Sequence, residues 1–264
     1  MNQETTEQFD LSEQLYSIAK DLNTVKKELD NVLLKIARTE FEVLMKLALV
    51  AEYKDTDTSV HIHRIGYMAE LLSTLLNQPP EFSFLIRLAA PMHDVGKLGI
   101  PDNVLQKPGK YDEAERQVMN QHPIIGAKIL DISDNTLFQL AAQIALSHHE
   151  KYDGSGYPFG LAGEDIPFVG RIVAMVDFYD ALTMDRCYRE AMTDEKALEM
   201  LKAGKGRHFD PHMVEVFEEH QQLFINLRTL VNNTETSFDN LISYDLVKLL
   251  LPNGWQNKSS VQKN

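Results

Sequence analysis

Hydrophobic positions near the start of the chain recur with a strict rhythm. Leu11, Leu15, Ile18, Leu22, Val25, Leu29, Val32 and Ile36 are separated by four and three residues in alternation. A mean period of about 3.5 residues is the seam that makes helices supercoil against a partner. Asp10 and Glu13 have the spacing of a capping box at its start. The seam breaks at Thr39 and Lys46, where Phe41, Val43, Leu44, Leu47 and Val50 spread the apolar positions around the helix. That spread is what a coil shows on entering a globular core. The pattern therefore predicts a heptad helix over 1–40 and a homo-oligomer formed through residues 11–36. Leucine at one seam position with mostly β-branched residues at the other does not select a parallel dimer, so the order of assembly stays open.

Beyond the seam the apolar spacing stays helical, and no alternating strand pattern or internal repeat interrupts it. Helices are predicted at 41–53, 59–77, 81–93, 112–121, 123–132, 135–149, 168–184, 194–203 and 211–221. Asp112 and Glu115 form a second capping-box pair, and Pro123 suits a first helical turn. Glycine and proline gather in long loops at 96–109 and 154–163. After residue 222 the pattern weakens to one further helix at 238–251 and a polar tail, 252–264, expected to be disordered. The expected fold class is all-α, with a helical domain at 41–221 between the heptad helix and a C-terminal extension at 222–264.

Charge narrows the partners. Twenty-six basic against 39 acidic side chains leave a formal net charge of −13 over 264 residues. That excludes broad binding to a nucleic-acid polymer, and an anionic ligand would need a local cationic centre of metal ions or placed arginines. No apolar run approaches the roughly 18 residues of a membrane span. The first residues lack the basic and apolar regions of a secretory signal. The single cysteine, Cys187, offers no internal disulfide and fits a reducing compartment. A cytoplasmic protein is expected.

The candidate chemistry lies in histidines and acids. His93 and Asp94 close an apolar helix just before Val95-Gly96-Lys97, and His148 and His149 are an adjacent pair at the end of another. Asp57 and His61 share a helix face at i and i+4. Asp177 and Asp180 lie three apart in the apolar stretch RIVAMVDFYDALT, where an acid is costly unless paired or metal-bound. Imidazoles and carboxylates without thiolates select Fe, Mn, Zn, Ni or Co. A carboxylate such as Asp94 is suited to bridge two ions, and two ions roughly 3.5–4 Å apart can activate a shared hydroxide and stabilise in-line attack on phosphorus. Lys97 is placed to neutralise phosphate charge. His63, His208, His212 and His220 are expected to lie outside such a site, and Cys187 has no base beside it and reads as a spacer.

HDVGK (93–97), HHEKYDGSGYP (148–158) and RIVAMVDFYDALT (171–183) resemble the HD-GYP phosphodiesterases, a branch of the HD metal-dependent phosphohydrolases. IPDNVLQKPGKYDEAE (100–115), HPIIGAKIL (122–130) and GKGRHFDP (204–211) agree with them in order and spacing. The resemblance implies an HD-type helical bundle with two or three divalent ions, Fe or Mn first and Ni, Co or Zn next, that hydrolyses cyclic di-GMP to pGpG, with further cleavage to GMP left open. Carried over by position, His61, His93, Asp94, His122, His148, His149 and Asp177 are the implied ligands. Asp94 bridges, His61, His93 and Asp177 serve one ion, and His122, His148 and His149 the other. Asp57 stands where three-metal members carry Glu. Lys97 is implied near the scissile phosphate, and Gly156 and Tyr157 in the signature loop near the substrate. Asp180, Arg186 and Arg189 match nucleotide or phosphate contacts; Arg189 replaces a frequent Lys, Cys187 a usual Pro, and Ser59 a usual Gly.

Other readings keep part of this chemistry. Cyclic GMP-AMP differs from cyclic di-GMP only at a base the ions do not read, and the altered 186–188 segment leaves that preference open. A non-catalytic cyclic-dinucleotide sensor or adaptor would keep the ligand and lose turnover. A di-iron oxygenase on the same scaffold would leave the GYP loop and the arginines without a role. The heptad helix looks like the connector that joins such domains to an upstream sensor, and with no sequence before it a stand-alone catalytic unit is expected.

Overall fold

A computed structural model describes residues 3–55, 59–131, 134–185, 190–234, 238–243 and 245–251. Among these residues all regular structure is helical, and the only β-type pairings are isolated bridges, Asp153 with Ala162 and Lys205 with Phe209. The chain divides into two compact units, Met1–Leu44 and Met45–Asn264.

The first unit is helical throughout its described length, as part of α1 (Gln3–Asp55). Its seam residues Leu15, Ile18, Leu22, Val25, Leu29, Val32 and Ile36 are between 50 % and 64 % exposed. Leu11 lies among the residues whose side chains are not described.

The second unit opens with the last turns of α1. It continues through α2 (Ser59–Leu75), α3 (Pro80–Ala89), α4 (Asp102–Leu105), α5 (Glu113–Met119), α6 (His122–Leu130) and α7 (Thr136–Ser147). Then come α8 (Phe168–Thr183), α9 (Asp194–Ala203), α10 (Pro211–Glu219), α11 (Gln221–Asn233), α12 (Phe238–Ser243) and α13 (Leu246–Leu250). Helix α2 is the centre: Ile62, Ile65, Met68, Ala69, Leu71 and Leu72 are buried on several of its faces, and α3, α8 and α11 pack around it. A helix apolar on every side is what such a central position requires. Helix α8 contributes Ile172, Val173, Met175, Val176 and Tyr179 to the same core.

Local chemistry sets the boundaries. The pattern at 81–93 continues past α3, but Pro91 has no N–H for an α-helical bond, and the chain tightens into a 3₁₀ turn, Ala90–Met92. The Asp112 side chain accepts from the Glu115 N–H and the Glu115 side chain from the Asp112 N–H, closing the capping box of α5. The 96–109 loop carries a second 3₁₀ turn, Val95–Gly99, and the short α4.

The segment after 222 is more structured than its weak pattern suggests. Phe224, Leu227 and Val231 of α11 are buried at three- and four-residue spacing, and α11 lies against α2. Arg228 donates to both oxygens of Asp194 at 2.7 and 2.8 Å, tying α11 to α9. Two short helices, α12 and α13, replace the single helix expected at 238–251, and the Tyr67 hydroxyl donates to the Asn240 carbonyl at 2.8 Å. The tail at 252–264 lies outside the described residues.

Candidate metal centre

The second 3₁₀ turn brings the His93-Asp94 pair against the start of α6. A Cβ on Gly96 would stand 1.9 Å from the His122 carbonyl oxygen, so only glycine permits this approach. His122 opens α6, His148 follows the end of α7, and His61 and Asp177 face the same region from α2 and α8. Five separate segments thus supply the side chains.

Their ring nitrogens are oriented by the backbone. His93 Nδ1 donates to the Ala90 carbonyl at 3.1 Å, His122 Nδ1 to Met119 at 2.8 Å, and His148 Nδ1 to Ala145 at 3.0 Å. Each bond fixes the tautomer and leaves Nε2 turned inward, the arrangement that makes imidazole a metal ligand. His61 is held differently, its Nδ1 donating to Asp180 Oδ2 at 2.7 Å.

Asp94 lies between two sets of donors. Its Oδ1 is 3.2 Å from His122 Nε2 and 3.4 Å from His148 Nε2, while its Oδ2 is 3.3 Å from His93 Nε2 and 2.7 Å from Lys97 Nζ. On the far side, Asp177 Oδ1 is 3.6 Å from His61 Nε2 and 3.8 Å from His93 Nε2. Two groups result, Asp94 with His122, His148 and His149, and His61 with His93 and Asp177, each with ligand atoms within 4.8 Å of one another. The Nε2 atoms of His122 and His148 both face Asp94 Oδ1. Buried His93 Nε2 and Asp94 Oδ1 have no hydrogen-bond partner among the described residues. Unsatisfied buried polar atoms are costly, and a divalent cation is the species that would satisfy several acceptors at once. The residues fit metal ions.

Electrostatics agree with that fit. Burial works against the charged form of Asp94, but the charges of Lys97 and His93 and the rings of His122 and His148 hold its carboxyl well below the usual range. Burial pushes His149 well down, with His148 and His122 adding to the effect, and burial lowers His148 as well. Those two imidazoles are therefore neutral and ready to coordinate. Burial also opposes charge on His93, yet the carboxylates of Asp94, Asp177 and Glu52 together raise it to about 9.

The signature loop closes one side. Tyr157 stacks on His149 with ring centroids 4.8 Å apart, and burial pushes its phenol far above the ordinary value, so the hydroxyl stays protonated. A Cβ on Gly156 would meet the Lys151 nitrogen at 2.3 Å, so glycine lets the loop fold back on its own start at Glu150 and Lys151. Buried Glu150 accepts the Phe159 N–H at 2.8 Å and the Leu161 N–H at 3.0 Å, bracing the loop from beneath.

Asp180 lies behind the centre. Asp180 is 1 % exposed, and both its oxygens are taken: Arg64 Nε donates to Oδ1 at 2.5 Å, Arg64 Nη2 to Oδ2 at 2.9 Å, and His61 also to Oδ2. Asp180, expected at the nucleotide, here accepts these three bonds and holds His61. His63, expected outside the site, is also buried, on α2. Asp57, Arg186, Cys187 and Arg189 lie outside the described residues.

Three supporting residues are absent from the expected site: Arg64, Lys54 and Glu150, the last inside the quoted 148–158 motif. Lys54 Nζ donates to the carbonyls of Ile100 at 2.6 Å and Leu98 at 3.1 Å, and lies 3.3 Å from Asp102 Oδ1. A cation among the carbonyls at the end of the Val95–Gly99 turn stabilises that end and fixes the turn bearing Lys97. Adjacency to a motif, as with Glu150 beside the His148-His149 pair, is the one clue that was available.

Comparison with known proteins gives a consistent family. A family described as HD domain matches residues 42–213. The chain is 43 % identical over 198 residues to 3'3'-cGAMP-specific phosphodiesterase 2 of Vibrio cholerae, covering 75 % of this chain and 38 % of that protein. It is 44 % identical over 205 residues to the cyclic di-GMP phosphodiesterase response regulator RpfG of Xanthomonas campestris, covering 78 % and 54 %. The chain thus spans about half or less of the length of these curated relatives. The crystal structure of a cyclic GMP-AMP specific phosphodiesterase of V. cholerae (V-cGAP3) shares the fold, with a TM-score of 0.53 at 18 % identity over 76 % of this chain and 57 % of that one.

Proposed function

The chain belongs to the HD domain family, and from its metal centre we propose that it is a metal-dependent phosphodiesterase that hydrolyses cyclic di-GMP. The observation that carries this reading is the place of Asp94, one oxygen beside His122 and His148 of its own donor group and the other 3.3 Å from His93 of the second, with His93 Nε2 and Asp94 Oδ1 buried and without a hydrogen-bond partner among the described residues. Two divalent ions bound there, Fe or Mn by resemblance to the family and Ni, Co or Zn equally compatible with the donors, would supply a water of lowered pKa and positive charge for the phosphoryl oxygens. Asp57 offers an oxygen for a third.

The chain's own residues do the rest. Lys97, partly exposed and 2.7 Å from Asp94 Oδ2, donates to a non-bridging oxygen of the scissile phosphate. His61, held by Asp180 and Arg64, keeps its Nε2 aimed at the centre. Tyr157 on its braced loop packs beside the substrate and excludes water from one side, and Arg186 and Arg189 take the outer phosphate and a base. The oxygen of water bonds to phosphorus as the P–O3′ bond breaks, and a proton passes to the departing 3′ oxygen. The product is linear pGpG, and repetition at the remaining diester gives GMP.

A second reading, preference for cyclic GMP-AMP, is favoured by the name of the 43 % identical Vibrio relative. Metal-loaded protein should be assayed anaerobically on both cyclic dinucleotides side by side, with product identification. Turnover of cyclic di-GMP that disappears in Asp94→Ala with the helical circular dichroism intact supports the main reading, and faster cyclic GMP-AMP turnover moves the assignment to the second. Full activity in Asp94→Ala, or tight binding without hydrolysis, refutes an enzymatic role for the centre. The heptad seam at 11–36, exposed from Leu15 to Ile36, supports self-association of this unit, and the reducing compartment implied by the lone cysteine supports the cytoplasm.

A further inference from the structure

One carboxylate beside the metal centre has no role in the reading above. Glu52 lies in the last turn of α1, within the second unit, and is 3 % exposed. Its Oε2 has no hydrogen-bond partner among the described residues. Lys54, two residues on, anchors this turn to the carbonyls of Leu98 and Ile100, so the position of Glu52 is fixed against the turn that carries Asp94 and Lys97.

An ionised carboxylate taken out of water is costly, and for Glu52 the nearby charges of His61, Lys97 and His93 offset burial only in part. The groups that act on Glu52 are informative. After burial, which raises its pKa, its electrostatic neighbours are His61, Lys97, Asp94 and His93. It acts in turn on His61 and His93, the two histidines grouped with Asp177. Glu52 is not itself among the atoms of that tight group. A site with three protein donors leaves coordination positions for water, and such water needs an acceptor.

We propose that Glu52 is a positioning residue of the metal centre, accepting a hydrogen bond from water on the ion held by His61, His93 and Asp177 and raising that site's affinity for divalent cations. The inference rests on the metal-centre reading and extends it to a residue none of the motifs contains. It makes two opposite claims about one side chain: without metal the carboxylate is a burden on the fold, and with metal it is an asset.

The test uses the full chain stripped of metal, titrated with Mn(II) by calorimetry and by the electron paramagnetic resonance of free Mn(II), with thermal unfolding of both forms. In Glu52→Gln one class of Mn(II) site should weaken by about 10- to 100-fold while another stays within about threefold. The metal-free melting temperature should equal or exceed that of the wild type, and the rise produced by Mn(II) should shrink. Glu52→Asp, which keeps the charge, should recover part of the affinity. Wild-type affinity at every site in Glu52→Gln overturns the proposal, as does a metal-free form that melts lower with all sites weakened alike, the signature of a packing role. A wild-type chain that takes up no Mn(II) overturns the metal-centre reading itself, and this inference with it.

Discussion

Replacing Arg64 with methionine keeps most of its apolar stem and removes the guanidinium that pairs with Asp180. Arg64 and Asp180 are 3 % and 1 % exposed, so neither partner has water to fall back on. Removing one member of a buried pair typically costs about 3–5 kcal/mol, because the other charge is left uncompensated. A second route gives a similar scale. The Asp180 carboxyl feels burial first, which opposes its charge, yet bonds from His61 and Arg64 bring it from 3.8 down to about 2. A depression of that size corresponds to about 2–3 kcal/mol of folding stability. Taking about 3 kcal/mol, and roughly 2–4 °C per kcal/mol for a chain of this size, the metal-free Arg64→Met protein should melt about 6–12 °C below the wild type at pH 7. The deficit has a pH signature. A carboxyl depressed in the folded state contributes fully above its unfolded pKa and loses that contribution as pH falls through its folded value. The gap between variant and wild type should therefore narrow from about pH 4 toward pH 2. The double variant Arg64→Met, Asp180→Leu separates stability from function. An apolar pair in place of a buried ion pair is often near neutral, so stability should return toward wild type. Metal affinity should stay about 10- to 100-fold low, since nothing then orients His61 Nδ1. Thermal melts and Mn(II) calorimetry on the three proteins decide the matter. A single variant within about 1 kcal/mol of wild type, or a double variant with full metal affinity, would show that Asp180 does not act through His61 in this way.

Two further predictions follow from other parts of the chain. His93, raised to about 9 against the pull of burial, stabilises the metal-free fold fully below pH 6.5 and loses that contribution as pH climbs to about 9, whereas a cation must displace its proton. Mn(II) affinity should therefore rise with proton release across this window in calorimetry, and a flat affinity from pH 6 to 9 would contradict the assigned pairing. In light scattering at micromolar concentration the wild-type mass should exceed that of one chain and fall to it in Leu22→Asp, Leu29→Asp. A monomeric wild type removes the seam's role in assembly.

Much of this protein is legible along the chain because helices write their burial into spacing. The apolar sides of α2 and α8, the capping box at Asp112 and the adjacent His148 and His149 are all local statements, and local patterns survive without knowledge of neighbours. The buried acids and imidazoles of the centre are legible in the same way, standing where a solitary polar group would be expensive. What spacing cannot carry is the identity of the group across the gap. Asp177 and Asp180 share one helix face, yet one opens toward His61 Nε2 and His93 while the other is consumed by Arg64 and the opposite nitrogen of the same His61 ring. The approach of α2 to α8 makes that difference, and no feature of RIVAMVDFYDALT encodes it. Helix α11, weak as a pattern, becomes part of the core because Phe224, Leu227 and Val231 meet a surface supplied by α2. Glu52 and Lys54 are likewise unremarkable in sequence, and acquire meaning only when the last turn of α1 settles beside the turn that carries Asp94. Sequence determines which side chains must find partners; tertiary structure decides which partners they find, because electrostatic and hydrogen-bond energies depend on distances that only packing fixes.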